Sequence, residues 1–133
     1  MAITQIKETC LYIKNLEKTI TFYSKILGFH LFEYSEGKHA FFKIGQCMLL
    51  LFNPENSRLK KSPPAHYAEG KQHIAFEVPD TEYEKTKNEF MAKGITIIDE
   101  MTWGNKRKSF YFNDPSGNIL EIVPEGIWEY TPK

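Results

Sequence analysis

Cysteine, net charge and long hydrophobic runs are all scarce in this chain of 133 residues. The two cysteines, Cys10 and Cys47, lie inside apolar stretches without the spacing of a metal knuckle or a redox motif, so we expect both to be reduced. Seventeen basic residues balance seventeen acidic ones, which leaves no long-range field to attract nucleic acid. These shortages argue against a disulfide scaffold and a nucleic-acid-binding protein.

Membrane and export signals are missing as well. No apolar run approaches the roughly 20 residues that a membrane span needs, and the first residues lack a basic region followed by an apolar segment and a cleavage site. We therefore expect a soluble cytoplasmic protein with no membrane partner. What the sequence does have is 41% hydrophobic and 14% aromatic residues, enough for a chain of this length to bury its own core.

The first half of the chain changes its hydrophobic period once. Alternation over residues 6–13 predicts a strand, and apolar residues at spacings of three and four then predict a helix over 16–27, begun by Asn15 and ended by Gly28. Three short strands follow at residues 29–34, 39–44 and 47–52. The predicted order is βαβββ.

The same order returns in the second half. Residues 73–79 read as a strand, and the capping-box spacing of Thr81 and Glu84 predicts a helix that Gly94 ends. The three further predicted strands are residues 95–99, 108–112 and 118–123. We therefore predict an α+β fold of two tandem βαβββ modules, residues 1–53 and 72–125, joined by a polar, proline-containing linker at 54–71.

Superposing the two halves places Glu8 over His73, both on the strand face opposite the helices. Glu121, which falls over Leu49, is the only charge in a short apolar stretch and can share that face. Burying an unpaired carboxylate would cost several kcal/mol, so Glu121 needs a partner. A divalent metal ion held by all three ligand-type residues would supply one. The pattern alone leaves open an ion pair with lysine or arginine, a structural His73 and a solvent-exposed Glu8.

Three segments carry a family resemblance: LYIKNLEKTITFYSKILGF (11–29), HIAFEVPD (73–80) and FYFNDPSGNILEI (110–122). They resemble the vicinal oxygen chelate superfamily, which includes glyoxalase I, bleomycin-resistance proteins, fosfomycin-resistance thiol transferases, extradiol dioxygenases and methylmalonyl-CoA epimerase. The resemblance covers nearly the whole chain. It implies paired modules whose strands form a curved mixed sheet around a metal cavity, often completed by a dimer partner.

The resemblance also implies a ligand set and its roles. The first ligand position, usually His or Gln, holds Glu8, while His73 and Glu121 match the expected residues. A fourth position, Glu or Gln in glyoxalase I and the epimerase, is Leu49 here. The implied cofactor is a divalent ion such as zinc, nickel, manganese, iron or cobalt. Glu121 or Glu8 would act as the catalytic base, after release from the metal.

The nearest local likeness is to the fosfomycin thiol transferases. Their W…N…SFYF pattern is matched by Trp103, Asn105 and residues 109–112, but their glycine-rich loop is replaced by KRK at 106–108, and no arginine follows Glu121. Fosfomycin itself is thus disfavoured as the substrate, although the KRK run is a candidate for binding another anion. The aromatic residues expected to line a substrate pocket are Tyr12, Phe42, Trp103 and Tyr111.

These observations favour a metal-dependent isomerase, lyase or thiol transferase that acts on a small molecule with adjacent oxygens in a homodimer. A thiol is the candidate co-substrate. One alternative is a metal-free module that binds a drug or another small molecule, favoured by Glu8 and Leu49 at ligand positions. Another is an extradiol-type dioxygenase, which is weakened because such sites use two histidines and this one has a single His73.

Overall fold

The computed structural model describes residues 1–129, and the chain divides into two compact units, Met1–Gln72 and His73–Lys133. Each unit holds one four-stranded mixed sheet with helices, which confirms the predicted α+β fold of two βαβββ repeats. The predicted linker belongs to the first unit. Both cysteines are free, as expected.

The first unit builds its sheet in the order β1-β4-β3-β2. Its elements are β1 (Glu8–Tyr12), α1 (Leu16–Thr21), a π-helical turn (Phe22–Ile26), β2 (His30–Ser35), β3 (His39–Ile44), β4 (Cys47–Phe52) and α2 (Pro54–Ser57). The Asn15 side chain accepts a hydrogen bond from the backbone N–H of Lys18 and so starts α1, as predicted. Tyr23, which follows α1, is fully buried with Phe42 in the core between helix and sheet.

The second unit repeats this arrangement with the order β5-β8-β7-β6. Its elements are β5 (His73–Val78), a 3₁₀ turn (Asp80–Glu82), α3 (Tyr83–Ala92), β6 (Asp99–Thr102), β7 (Lys108–Asn113) and β8 (Ile119–Pro124). Phe90 of α3 packs edge-on against Phe110 and Phe112 of β7, and Leu120 and Ile122 of β8 are buried beside them. The core therefore occupies the helix side of the sheet.

The strand registers show which positions of the two units correspond. Glu8 pairs with Met48 across β1 and β4, as His73 pairs with Ile119 across β5 and β8, so Glu8 and His73 are equivalent. Two positions further on, Glu121 corresponds to Leu50. The prediction of Leu49 at this position was wrong by one residue, because the hairpin between β3 and β4 is shorter than the one between β7 and β8. The conclusion that the position is apolar is unchanged.

Three predicted elements differ from the structure. The helix over 16–27 is α-helical only to Thr21 and continues as a π-helical turn. The Thr81 capping box was wrong, because the chain first makes a 3₁₀ turn and α3 begins at Tyr83 without a side-chain cap. The strand predicted at 95–99 was also wrong: its isoleucines lie in the connection, and pairing of β6 with β7 begins at Asp99.

Candidate active site

Glu121 is a buried carboxylate on the open face of the second sheet, the face turned away from α3. It is only 7% exposed, while Leu120 and Ile122 on either side of it point into the core. Its neighbours on adjoining strands are Ala75 of β5 and Tyr111 of β7. The position of Glu121 between two strands explains its burial, and it makes a polar partner necessary.

His73 is that partner, and its two ring nitrogens have different roles. Nδ1 lies 2.9 Å from the carbonyl oxygen of Ile119, and since a carbonyl can only accept, Nδ1 carries a proton and donates it. Nε2 lies 3.1 Å from Oε1 of Glu121. The Ile119 carbonyl therefore fixes the ring so that Nε2 faces the carboxylate.

Two arrangements satisfy this pair. In one, Nε2 is also protonated and the imidazolium forms an ion pair with Glu121. In the other, the neutral Nε2 presents a lone pair beside the carboxyl group, and either a proton on Glu121 or a bound cation would lie between these two Lewis bases. A histidine that donates its other N–H to a backbone carbonyl is the usual arrangement of a metal ligand in proteins.

The spacing of the two donors also suits a metal ion. Ligands that bind one zinc ion at about 2.0–2.1 Å with a tetrahedral angle lie roughly 3.3 Å apart. The observed 3.1 Å between His73 Nε2 and Glu121 Oε1 is close to this separation. A nitrogen and a carboxylate oxygen are both ligands that zinc, nickel, iron, cobalt and manganese accept. The pair therefore fits two positions of a divalent-metal site.

A cavity of about 420 Å³ opens beside this pair, and all of its lining residues belong to the second unit. The lining consists of His73, Ile74, Ala75, Trp103, Tyr111, Glu121, Val123, Ile127 and Trp128. Two of the predicted pocket residues, Trp103 and Tyr111, are among them. Burial raises the pKa of the Tyr111 hydroxyl, a hydrogen bond with Ser109 acts in the opposite direction, and the charge of Glu121 raises the pKa further.

The arginine of the KRK run, Arg107, lies outside the lining of this cavity and binds elsewhere. Arg107 donates from Nε to the carbonyl oxygen of Glu125 at 3.0 Å and lies 3.7 Å from Oδ1 of Asp80. None of the three basic residues is part of the cavity lining. Arg107 thus anchors the segment after β8, and its sequence-based interpretation as an anion-binding residue finds no support in this geometry.

The other predicted site residues lie in the first unit. Glu8 is exposed at the start of β1. Tyr12 is half-buried, and its hydroxyl hydrogen-bonds with Nδ1 of His66 from the predicted linker. Phe42 is fully buried against Tyr23, so its ring fills the core and does not reach the open face, where a substrate pocket would need it.

Sequence analysis missed four residues on these open faces. Phe41, equivalent in register to Tyr111, lies on the open face of the first unit in place of Phe42. His66 was not singled out because nothing in the linker sequence places it against Tyr12. Ile127 and Trp128 line the cavity after the last strand. For this segment, the large aromatic side chain of Trp128 was the one feature of the sequence that could have indicated a binding role.

The structure brings together His73 and Glu121, while Glu8 belongs to the other unit. Within residues 1–129, no group of three or more histidine, cysteine, aspartate or glutamate side chains is arranged to hold a metal ion. The three-ligand site thus stays a prediction. As for membranes, the helices in the described part of the chain are all too short or too polar to cross a bilayer.

Comparison with known proteins gives the family. Residues 5–122 match the model of the Glyoxalase/Bleomycin resistance protein/Dioxygenase superfamily. Among curated relatives, the metallothiol transferase FosB of Lysinibacillus sphaericus is 28% identical over 92% of this chain and 83% of its own length. The FosB of Staphylococcus haemolyticus is 32% identical over 83% of this chain and 76% of its own length.

A solved structure is similar over nearly its whole length. The lactoylglutathione lyase from Agrobacterium tumefaciens superposes with a TM-score of 0.93 at 32% identity, covering 98% of this chain and 100% of that one. Because the family model spans most of the chain and the fold agrees, this chain belongs to the Glyoxalase/Bleomycin resistance protein/Dioxygenase superfamily.

Proposed function

We propose that this chain is a divalent-metal-dependent enzyme that acts on a small molecule with two adjacent oxygens. The observation that carries the proposal is the orientation of His73: its Nδ1–H is held by the Ile119 carbonyl, so that Nε2 and the buried carboxylate of Glu121 converge. A bound divalent cation would act as a Lewis acid toward the two substrate oxygens.

In this proposal Glu8 is the third ligand. It occupies in β1 the position that His73 occupies in β5, and its carboxylate is exposed at the strand end. The carboxylate reaches the metal either within one chain or from a second copy in a homodimer. We propose the homodimer, and light scattering is expected to give twice the 15.5 kDa of one chain; the mass of a single chain would contradict it.

The carboxylates of Glu121 and Glu8 are the candidate groups for proton transfer. Glu121 is buried and adjoins the Tyr111 hydroxyl, so it is positioned to take a proton from a substrate atom in the cavity. A carboxylate held by a dication is a weak base, and it gains basicity only when it leaves the metal. Glu8 serves the same role if Glu121 stays bound.

Thiol transfer is the first reaction class to test, since curated relatives carry the name metallothiol transferase. Lyase or isomerase chemistry is the second, since the lactoylglutathione lyase shares the fold at 32% identity. The alternative to an enzyme is a metal-free binding module. It is favoured by Leu50, an apolar residue at the register position of Glu121, and by the lack of a three-ligand cluster in residues 1–129.

Metal analysis and titration separate these functions. Protein purified without chelator is expected to hold, or to take up on titration with Zn²⁺, Ni²⁺ or Mn²⁺, about one ion per chain. His73→Ala and Glu121→Gln should lose that ion while circular dichroism shows the fold retained. The matched control is Glu77→Gln, an exposed carboxylate on the same strand as His73, which should bind metal like the parent.

A protein that binds no metal would contradict the proposal. Less than about a tenth of an equivalent, with no uptake on titration, would overturn the enzymatic proposal in favour of the metal-free binding module.

A further inference from the structure

The cavity of the second unit has one small cluster of polar residues in an otherwise apolar lining. Its polar groups are neighbours of one another: His73 lies 3.1 Å from Glu121, and the ring centroids of His73 and Tyr111 are 6.1 Å apart. The rest of the lining is apolar, with Ala75, Val123, Ile127 and both tryptophans of the chain. A volume of about 420 Å³ is within the usual range of ligand pockets.

Within residues 1–129, no lysine or arginine lines this cavity. Arg107, the basic residue of the neighbouring loop, is held by Asp80 and the Glu125 carbonyl. Among the described lining residues the buried carboxylate of Glu121 is the only acidic group, and in the proposed function the metal ion binds it. A phosphonate or carboxylate on the body of the substrate would therefore be desolvated without a protein counter-charge.

A small hydrogen-bond network holds the Trp103 side chain and the backbone just before Trp128. Trp103 donates its indole N–H to Oγ of Ser109 at 2.9 Å, so its only donor is used and its ring offers apolar surface. Asn105 donates from Nδ2 to the carbonyl oxygens of Gly126 and Ile127 at 3.2 and 3.4 Å. The loop that carries Trp103 thus holds the segment that carries Trp128.

Both rings are left in contact with solvent, 40% exposed for Trp103 and 83% for Trp128. Large aromatic side chains held at the rim of a cavity, with their apolar surface uncovered, are typical of ligand recognition. We propose, resting on the proposed function, that the substrate has an uncharged aromatic body that packs against Trp103 and Trp128. Its two adjacent oxygens are turned toward His73 and Glu121.

Calorimetric titration with three probes at neutral pH tests this substrate class. The neutral probe is α-hydroxyacetophenone, which has an aromatic ring and adjacent oxygens. Hydroxyacetone has the same oxygens without the ring, and 4-(hydroxyacetyl)benzoate has the same oxygens and ring with a carboxylate on the ring. We expect α-hydroxyacetophenone to bind roughly tenfold or more tightly than hydroxyacetone, because the ring buries apolar surface. 4-(Hydroxyacetyl)benzoate should bind more weakly than α-hydroxyacetophenone, because its carboxylate meets no basic residue in the described lining.

Variants at the cavity rim complete the test. Trp128→Ala should weaken binding of α-hydroxyacetophenone by roughly fivefold, and Trp128→Phe should restore most of the affinity. Equal affinity for the probes with and without the ring, tighter binding of 4-(hydroxyacetyl)benzoate, or parental affinity in Trp128→Ala would each overturn the proposal.

Each titration is run with and without Zn²⁺, so that the two proposals fail separately. A ring preference that persists without metal supports the aromatic substrate class even where metal uptake is absent. Metal uptake without a ring preference overturns the substrate class and leaves the proposed function standing.

Discussion

At the scale of single residues, the carboxylate of Glu100 forms a polar cluster outside the candidate site. Tyr83, nearly buried, donates its hydroxyl to Oε2 at 2.7 Å, and Lys87 donates to Oε1 at 2.9 Å. Burial raises the pKa of Glu100, but the hydrogen bonds from Lys87 and Tyr83 outweigh it, and the net pKa is lowered. The folded state therefore favours the ionised carboxylate.

Tyr83→Phe should consequently destabilise the protein in a pH-dependent way. At neutral pH we expect a loss of about 1 kcal/mol in the free energy of unfolding, the usual contribution of one hydrogen bond. A lowered folded pKa gives stability that is present above the unfolded pKa and lost as pH falls through the folded value. The difference between variant and parent should therefore shrink in urea denaturation below the ordinary glutamate pKa of 4.5.

The control for this change is Tyr34→Phe. Tyr34 also donates its hydroxyl to a carboxylate, that of Glu17, but on the exposed surface of the first unit. At an exposed position water replaces the lost hydrogen bond readily, so this variant should lie close to the parent. A Tyr83→Phe effect no larger than that of Tyr34→Phe, or one that grows in acid, would contradict the account.

Residue types in the candidate site could be predicted, but their neighbours could not. The isolated charge of Glu121 and the repeat position of His73 were visible in the sequence, because alternation fixes the face of a strand. The Ile119 carbonyl that orients His73 depends on the pairing of β5 with β8. Leu49 was matched to Glu121 although its neighbour Leu50 is the register equivalent, and a shift of one residue exchanges the faces of a strand.

At the scale of elements, Gly28 is the residue that ends the first helical segment. Its φ of +76° lies in the left-handed region, and a Cβ at this position would meet no atom within 4 Å. Gly28→Ala should therefore cost about 1 kcal/mol through backbone strain alone. The matched control is Gly104→Ala, where space is equally open and φ is not left-handed. Thermal unfolding that shifts equally in both variants would refute this explanation.

Element types could be predicted well where the hydrophobic period is clear. The strands at His39–Ile44 and Cys47–Phe52 have the predicted bounds, because the tight turn at 45–46 ends the first strand and begins the second. The π-helical turn after α1 was missed because its apolar spacing does not differ from that of an α-helix. The bounds of β6 were missed because its pairing with β7, and not its own apolar content, decides where it begins.

At the scale of the whole molecule, internal repetition made the fold predictable. Two βαβββ patterns in one sequence indicate two similar units, and the structure has two sheets with the same strand order. Assembly could not be predicted in the same way. The composition of a polar linker allows modules to pair within one chain or between two chains, and no strand or helix pattern distinguishes these cases.

The central claim is that His73 and Glu121 share one divalent metal ion. It is tested most directly by anomalous X-ray diffraction from crystals grown with Zn²⁺. The account predicts an anomalous peak about 2.0–2.2 Å from both His73 Nε2 and a carboxylate oxygen of Glu121. Crystals that contain zinc but show no peak there, with Nε2 still hydrogen-bonded directly to Glu121, would contradict it.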